Sequence, residues 1–375
     1  MKIGIVCYPT YGGSGVVATE LGKALALKGH EVHFISYAQP FRLEFFKENI
    51  FYHEVDISDY PLFDYKPYEL ALTGKLVDVV RYEKLDLLHV HYAIPHASAA
   101  YMAKMILEAE GISIPYITTL HGTDITLVGK DRIFEPVITF SINQSDAITA
   151  VSENLRQETL EYFNVTKPID VVHNFIEIAN YQNISDPCFR PFYAIDSERV
   201  ITHISNFRKV KRIDDVVKTF ALINKQIPSK LLLVGDGPER SHIENLCRDL
   251  GLNKEVRFLG KLKTVEKVLA VSDLFLLTSE TESFGLSALE AMAAGVPVIS
   301  TNTGGLPEVN IHGQTGYMSN VGDVEDMAKN ALAILQDEAT LKTFKANAYQ
   351  QAKRFDIHAI LPQYEAIYNR VLGVK

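Results

Sequence analysis

The chain has 375 residues, of which 47% are hydrophobic and 22% charged, and its formal net charge is −9 at neutral pH. That length is comfortable for two domains. The acidic balance argues against a broad electrostatic nucleic-acid surface but leaves room for a local phosphate site. Three cysteines lie far apart (Cys7, Cys188 and Cys247), so neither a disulfide framework nor a zinc motif is indicated. The N-terminal Met-Lys-Ile-Gly-Ile-Val-Cys reads as a first strand rather than a signal peptide. No apolar run reaches membrane-spanning length, and a cytoplasmic protein is the expectation.

Lys2–Cys7 reads as a buried strand, Tyr8–Gly15 as a turn-rich loop, Val16–Lys28 as a helix ending at Gly29, and Glu31–Ser36 as the next strand. This βαβ unit sets Gly12, Gly13, Ser14 and Gly15 at a helix N-terminus, where backbone amides attract anionic ligands. Gly13-x-Gly15-x-x-Ala18 matches the dinucleotide fingerprint literally. The ribose-binding acid that should end the second strand is missing, because Ser36-Tyr37-Ala38 stands there. Further strands are predicted at Leu85–His91, Tyr116–His121 and Ala147–Val151, with helices around Ala97–Glu110 and Glu153–Phe163. Alternation of this kind gives a parallel sheet with ligand loops at the carboxyl ends of its strands.

Those ends carry His89, His91 and Tyr92, then Thr119, His121 and Asp124, then Ser152 and Glu153, and finally His173 and Asn174. His89-x-His91 has no carboxylate at matching spacing, which favours a structural pair over a metal site. His121, beside Gly122 and Asp124, reads as a site residue or as a loop-stabilising histidine.

From Asn180 to Ser197 the pattern breaks into a connector containing Asn183, Asp186-Pro187 and Arg190-Pro191. A second alternating series follows. Its predicted strands are Val200–Ser205, Lys230–Val234, Val256–Leu259, Leu274–Thr278 and Val298–Thr301. Its predicted helices are Asp214–Gln226, Glu239–Leu250, Thr264–Ala270, the segment after Ser283, and Asp323–Leu335. The fold class is therefore α/β: two open domains with a cleft between them.

The loop after the second domain's first strand, Asn206-Phe-Arg208-Lys209-Val-Lys211-Arg212, holds four cations in seven residues. Between a strand and a helix it reads as a phosphate-binding loop rather than a solvated face. Gly235-Asp-Gly237-Pro238 and Gly304-Gly305-Leu-Pro307-Glu308 are further close-approach loops. The segment Glu282–Ser300 reads as a loop, a helix of about three turns capped by Ser283 and stopped at Gly295, and a buried strand. Its Ala- and Leu-rich helix is expected to be packed all round. Glu282 and Glu290 interrupt it and need hydrogen-bonding partners. Sugar or ribose hydroxyls would serve; a capping role and a Lys or Arg partner are the structural alternatives. The amides of Phe284, Gly285 and Leu286 open the same helix. Cations, glycines and helix N-termini on one domain, facing polar strand ends on the other, indicate a diphosphate-bearing ligand and a second substrate, hence group transfer. There is no Walker lysine motif and no Asp-x-Asp pair to bridge a metal.

Gly-Asp-Gly-Pro-Glu at 235–239, the run at 282–298 and Gly-Gly-Leu-Pro-Glu at 304–308 resemble the retaining glycosyltransferases of family 4, over essentially the full length. The resemblance implies a GT-B fold of two facing Rossmann-like domains. Residues 1–180 would form the acceptor-binding domain and 198–355 the UDP-sugar-binding domain, with a C-terminal helix near 356–375 packing back on the first. The first-domain runs Tyr-Pro-Thr-Tyr-Gly-Gly-Ser-Gly and His-Val-His-Tyr-Ala-Ile-Pro-His, with Ser-Asn-Phe-Arg-Lys-Val-Lys-Arg in the second, are similar to members of the bacillithiol pathway. Those members imply UDP-GlcNAc as donor and L-malate as acceptor, with no cofactor, no metal, no nucleic acid and no membrane span. A homo-oligomer is left open.

By the same resemblance Glu290 holds the ribose hydroxyls. Glu282, with the Phe284, Gly285 and Leu286 amides, holds the donor sugar. Lys211 binds the diphosphate, His121 sits against the transferred sugar, and uracil lies near Leu262. Gly13 faces the diphosphate, and Ser14 and Gly15 face the acceptor. Apart from the resemblance, Tyr92, Thr119 and Asn174 stand at strand ends and read either as further hydrogen-bond donors to the acceptor or as residues that only shape their loops. The family's usual arginine before the phosphate lysine is replaced by Asn206, and Arg208 is the candidate substitute. Catalysis is assigned to His121, Lys211 and Glu282. A family member with an inositol phosphate or sugar acceptor, a glycosidase using the two glutamates, and a non-catalytic sugar-nucleotide binder are the other readings.

Overall fold

The computed structural model describes residues 1–374 except 11, 44–47, 58–65, 128, 130, 183 and 185–188. Asn183, Asp186, Pro187 and Cys188 of the connector therefore lie outside the described residues. The chain divides into two compact units, Met1–Asn174 with Ile357–Lys375, and Phe175–Asp356.

In the first unit the strands are β1 (Lys2–Val6), β2 (Glu31–Ser36), β3 (Ile50–Glu54), β4 (Leu87–His91), β5 (Tyr116–Leu120), β6 (Ala147–Ala150) and β7 (Ile169–Val171). Every pairing is parallel, in the order β3-β2-β1-β4-β5-β6-β7. The helices between them are α1 (Gly13–Leu27), α2 (Tyr68–Glu83), α3 (Ser98–Ala109), α4 (Glu135–Gln144) and α5 (Glu153–Tyr162). The central strands β4, β5 and β6 are buried throughout, as a sheet covered on both faces requires.

The second unit repeats the plan with β8 (Arg199–Ile204), β9 (Ser229–Val234), β10 (Val256–Gly260), β11 (Leu274–Leu277), β12 (Val298–Thr301) and β13 (Gly316–Ser319). They pair in parallel in the order β10-β9-β8-β11-β12-β13. Helices α6 (Ile213–Asn224), α7 (Arg240–Asp249), α8 (Glu266–Ala270), α9 (Leu286–Ala293), α10 (Leu306–Val309), α11 (Val324–Leu335) and α12 (Glu338–Ala352) complete it. The last helix, α13 (Ile357–Leu372), belongs to the first unit.

The sequence pattern misses β3, β7 and β13 for physical reasons. β3 is an edge strand with Phe51 exposed, so it carries no closed apolar run. β7 has only three residues. β13 begins at Gly316, where a Cβ would lie 1.8 Å from the Val298 carbonyl oxygen of the neighbouring strand. The helix expected after Ser283 is also corrected. It has eight residues, and its N-cap is Gly285, at φ 95°, with no side-chain cap. A left-handed residue sits there easily only as glycine, so the N-cap position falls at Gly285 and not two residues earlier at Ser283.

Helix α1 packs so closely on β1 and β2 that a Cβ at Gly22 would come within 2.3 Å of Phe34 Cζ and 2.9 Å of Ile5 Cδ1. Alanine would gain about 1 kcal/mol of helix propensity, but overpacking a buried ring costs about 1–3 kcal/mol. Gly22→Ala is expected to lose up to about 2 kcal/mol net, read as a lower urea midpoint; a higher midpoint would contradict the packing.

Candidate functional site

An open parallel sheet leaves a crevice where its strand order reverses, because loops from the two central strands run in opposite directions. The second unit reverses between β8 and β11. Lys211 lies in the loop after β8 and Glu282 in the loop after β11, and their side chains form an ion pair between Nζ and Oε1. Ser279 Oγ donates to the same carboxylate oxygen at 2.8 Å. Neither side chain is more than 20% exposed, so the pair is poorly screened and each charge depends on the other. Glu282 is thus the partner of a lysine and a serine rather than a helix cap.

The backbone around this pair is fastened across the crevice. Thr278 Oγ1 donates to the carbonyls of Lys211 (3.1 Å) and Arg212 (2.9 Å), and Glu280 N donates to Val210 O at 2.8 Å. Arg212 is left-handed at φ 47° and holds Asp215 through Nε–Oδ2 at 2.6 Å. On the other side Gly305 N donates to Glu282 O at 2.8 Å, and a Cβ at Gly304 would sit 1.9 Å from that oxygen. The Gly304-Gly305 motif therefore makes room for the Glu282 backbone, where the sequence suggested close approach of a ligand. Gly235 likewise clears the Ser205 carbonyl, with a Cβ distance of 1.8 Å.

Helix α9 is not packed all round. Leu286, Ser287 and Glu290 are half-buried while Ala288, Leu289, Ala291, Met292 and Ala293 are buried. One stripe stays open, and Glu290 stands on it with Oε1 accepting from Tyr181 OH at 3.0 Å. Tyr181 lies in the connector and was invisible as a site residue, since nothing in the sequence relates it to α9. Phe284 is buried, Leu262 half-buried, and Asn206 and Arg208 are exposed on the β8 loop.

The first unit reverses between β1 and β4. Ser14, at the start of α1 after β1, accepts at 2.7 Å from the hydroxyl of Tyr92, which follows β4. Gly13 and Ser14 are exposed and half-exposed at the same helix end. Gly15 is buried against the loop itself, where its Cβ would meet Thr10 O at 2.5 Å. Beside them lies a chain of buried histidines. His89 Nδ1 contacts Tyr368 OH of α13 at 2.8 Å, and its Nε2 contacts Thr119 Oγ1 at 2.7 Å; Thr119 in turn meets Thr149 Oγ1 at 2.6 Å. Thr119 is fully buried in this chain, so its influence on a ligand runs through its neighbours. Asn174 is buried three residues past β7, and among the described residues nothing pairs with its Oδ1.

His91 Nδ1 lies 2.7 Å from His121 Nε2. Among the described residues no partner reaches His91 Nε2. A buried unpaired N–H costs more than a buried unpaired lone pair. His91 therefore carries its proton on Nδ1 and donates to His121 Nε2, which leaves Nδ1–H as the donor that His121 presents. His96 Nδ1 donates to the His91 carbonyl. Asp124, which the sequence offered only as a neighbour of His121, accepts from Ala93 N at 2.8 Å and Gly122 N at 3.1 Å. Burial lowers the pKa of His89 and His121 to about 3 and of His96 to about 4, and raises Asp124 to about 6.

Residues 11–180 match the family model described as Glycosyltransferase Family 4, and residues 189–351 that described as Glycosyl transferases group 1. The chain is 50% identical over 374 residues to the N-acetyl-alpha-D-glucosaminyl L-malate synthase of Bacillus anthracis, covering 99% of this chain and 97% of that one. It belongs to the family 4 glycosyltransferases. The fold agrees: Anabaena HepE, solved with UDP and glucose, superposes with a TM-score of 0.82 at 21% identity, covering 98% of this chain and 99% of that one. Sucrose-phosphate synthase of Thermosynechococcus elongatus gives 0.82 at 20% identity over the whole of both chains. These are GT-B architectures, and the two doubly wound units of this glycosyltransferase are the GT-B domains. Among the described residues no helix is long and apolar enough to cross a membrane.

The histidine burial has a pH consequence. A histidine whose folded pKa is depressed from about 6.5 binds its proton more readily when unfolded, so its stabilisation is full above about pH 6.5 and is lost as pH falls toward the folded value. Asp124, raised to about 6, acts in the opposite sense between about pH 4 and 6. His89, His91, His96 and His121 outnumber that single carboxylate. Each contributes up to about 1.4 kcal/mol per pH unit, so urea midpoints are expected to fall steeply from pH 7 to pH 5. A flat profile over that range would contradict the neutral, buried histidine chain.

Proposed function

We propose that this glycosyltransferase moves N-acetylglucosamine from UDP-GlcNAc to the hydroxyl of L-malate with retention of the α configuration, the first step of bacillithiol biosynthesis. The observation that carries the reading is the 50% identity, over nearly the full length of both chains, to a protein named for that product. Both switch points supply suitable chemistry. At the second, Glu290 on the open stripe of α9 takes the ribose hydroxyls and Lys211, with Arg208, takes the diphosphate. Glu282 and the amides opening α9 take hydroxyls of the sugar, and Leu262 lies by the base. Asn206 contributes its amide on the same loop.

At the first switch point, Gly13 lies toward the diphosphate, and the amides of Ser14 and Gly15 and the Ser14 and Tyr92 hydroxyls meet the malate carboxylates. The Asn174 side-chain amide donates N–H to a malate carboxylate, and Thr119 steadies His89. His121 offers Nδ1–H to the transferred sugar. In the reaction the bond from the anomeric carbon to the UDP oxygen breaks as the bond to the malate oxygen forms on the same face. The leaving diphosphate takes the malate hydroxyl proton, and Lys211 and the helix amides stabilise its charge. The donor charge is met by these groups, so full turnover is expected in excess chelator; loss restored by magnesium or manganese would overturn that part.

Mass spectrometry and NMR of the product from UDP-GlcNAc and an acceptor panel test the whole reading. An α-linked malate glycoside is expected. Preference for a neutral alcohol or inositol phosphate would replace the acceptor, and a β linkage would remove the retaining mechanism.

The carboxylates separate by variant. Glu290→Gln is expected to weaken UDP and donor binding more than the rate of bound complex, because a ribose contact is alike in ground and transition states. Glu282→Gln frees Lys211 from its anionic partner, so UDP is expected to bind at least as tightly as in wild type while discrimination between donor sugars falls. Weaker UDP binding in Glu282→Gln, or unchanged binding in Glu290→Gln, would contradict these roles. Ser14→Ala is expected to raise the malate KM and leave UDP affinity alone; a change in UDP affinity instead would move Ser14 to the donor.

A further inference from the structure

Away from the strand ends, His33 of β2, His53 of β3 and Glu83 at the end of α2 bring ligating atoms within 4.8 Å of one another. His33 is wholly buried, with its ring parallel to Phe51 at 4.8 Å. Its Nε2 lies 3.0 Å from Glu31 Oε1, and Lys2 Nζ holds that carboxylate at 2.7 Å. The carboxylate accepts, so Nε2 carries the proton and Nδ1 is left as a lone pair directed at His53 Nε2, 2.9 Å away. A histidine whose far nitrogen is tied to a carboxylate is the arrangement found behind metal-ligating imidazoles.

We propose that His33 Nδ1, His53 Nε2 and Glu83 bind one divalent transition-metal ion of the zinc class, with water completing the coordination. Two imidazoles and one carboxylate suit zinc, cobalt or nickel, whereas magnesium and calcium take oxygen ligands. Burial also lowers the pKa of both histidines, which keeps them neutral and able to ligate. Two nitrogens on a tetrahedral zinc stand about 3.3 Å apart, so half-buried His53 withdraws by a few tenths of an ångström as the ion enters. Without the ion His53 donates Nε2–H to His33; with it, His53 takes the Nδ1–H tautomer. The ion fastens edge strand β3 to the end of α2, and none of these residues takes part in the proposed reaction.

The test uses the full chain stripped with chelator and then titrated with zinc by calorimetry, with cobalt(II) absorption as the probe of coordination. One saturable equivalent is expected, with tetrahedral cobalt bands and a zinc-dependent rise in melting temperature. His53→Gln keeps an amide N–H for His33 Nδ1, so its metal-free melting is expected to stay near wild type while zinc affinity falls at least about tenfold. Glu83→Gln, at the helix end, gives an independent readout and is expected to lose affinity similarly. Absence of a saturable equivalent in the wild type, or zinc affinity retained at the wild-type level in either variant, overturns the site.

Discussion

The reversal of strand order at the centre of each sheet is the constraint on which the rest of this structure depends. Parallel strands need long crossovers, and where successive crossovers turn to opposite sides, the two central strands send their loops apart. In the first unit this happens between β1 and β4, and in the second between β8 and β11. Residues far apart in the chain meet across both gaps: Ser14 with Tyr92, and Lys211 with Glu282. The gap is made by topology, and the side chains then give it chemical character.

Rigidity at the second gap comes from the backbone more than from the ion pair. Thr278 holds two consecutive carbonyls of the cationic loop, Glu280 N holds a third, and Gly304 and Gly305 pack directly on the Glu282 backbone. Lys211 and Glu282 are consequently held in place before a ligand arrives, which limits the ordering cost of binding an anion. Their pairing also means that any anion approaching Lys211 shares it with a carboxylate, so the charge of one side chain bears on the other.

The first gap is built on burial. A dry environment keeps His89, His91, His96 and His121 neutral, and neutral imidazoles relay tautomers rather than charge. Among the described residues nothing pairs with His91 Nε2, which fixes the proton on its other nitrogen and so determines which edge of His121 is a donor. Tyr368 anchors the same array from α13, the last helix of the chain. A residue of the last helix thereby bears directly on the orientation of His89 on β4.

The alternation of buried strands and amphipathic helices, the cationic loop at 206–212, and the two carboxylates, one before an Ala-rich helix and one within it, were all determined by the sequence alone, because local periodicity and strand-end position carry that information. Family membership followed from the motifs at 235–239, 282–298 and 304–308. Short, edge or glycine-initiated strands such as β7, β3 and β13 left no such pattern, since half-exposed or three-residue segments bury too little to show one. The partners of the site residues were decided only by tertiary structure. Tyr181 reaches Glu290 across 109 positions and Tyr368 reaches His89 across 279, and no local rule links such pairs. The same is true of the glycines at 304 and 305, whose need for space is set by the Glu282 and Ser283 carbonyls that folding brings beside them. Sequence spacing names the groups able to do chemistry; which of them face one another is settled by the order of strands in the sheet.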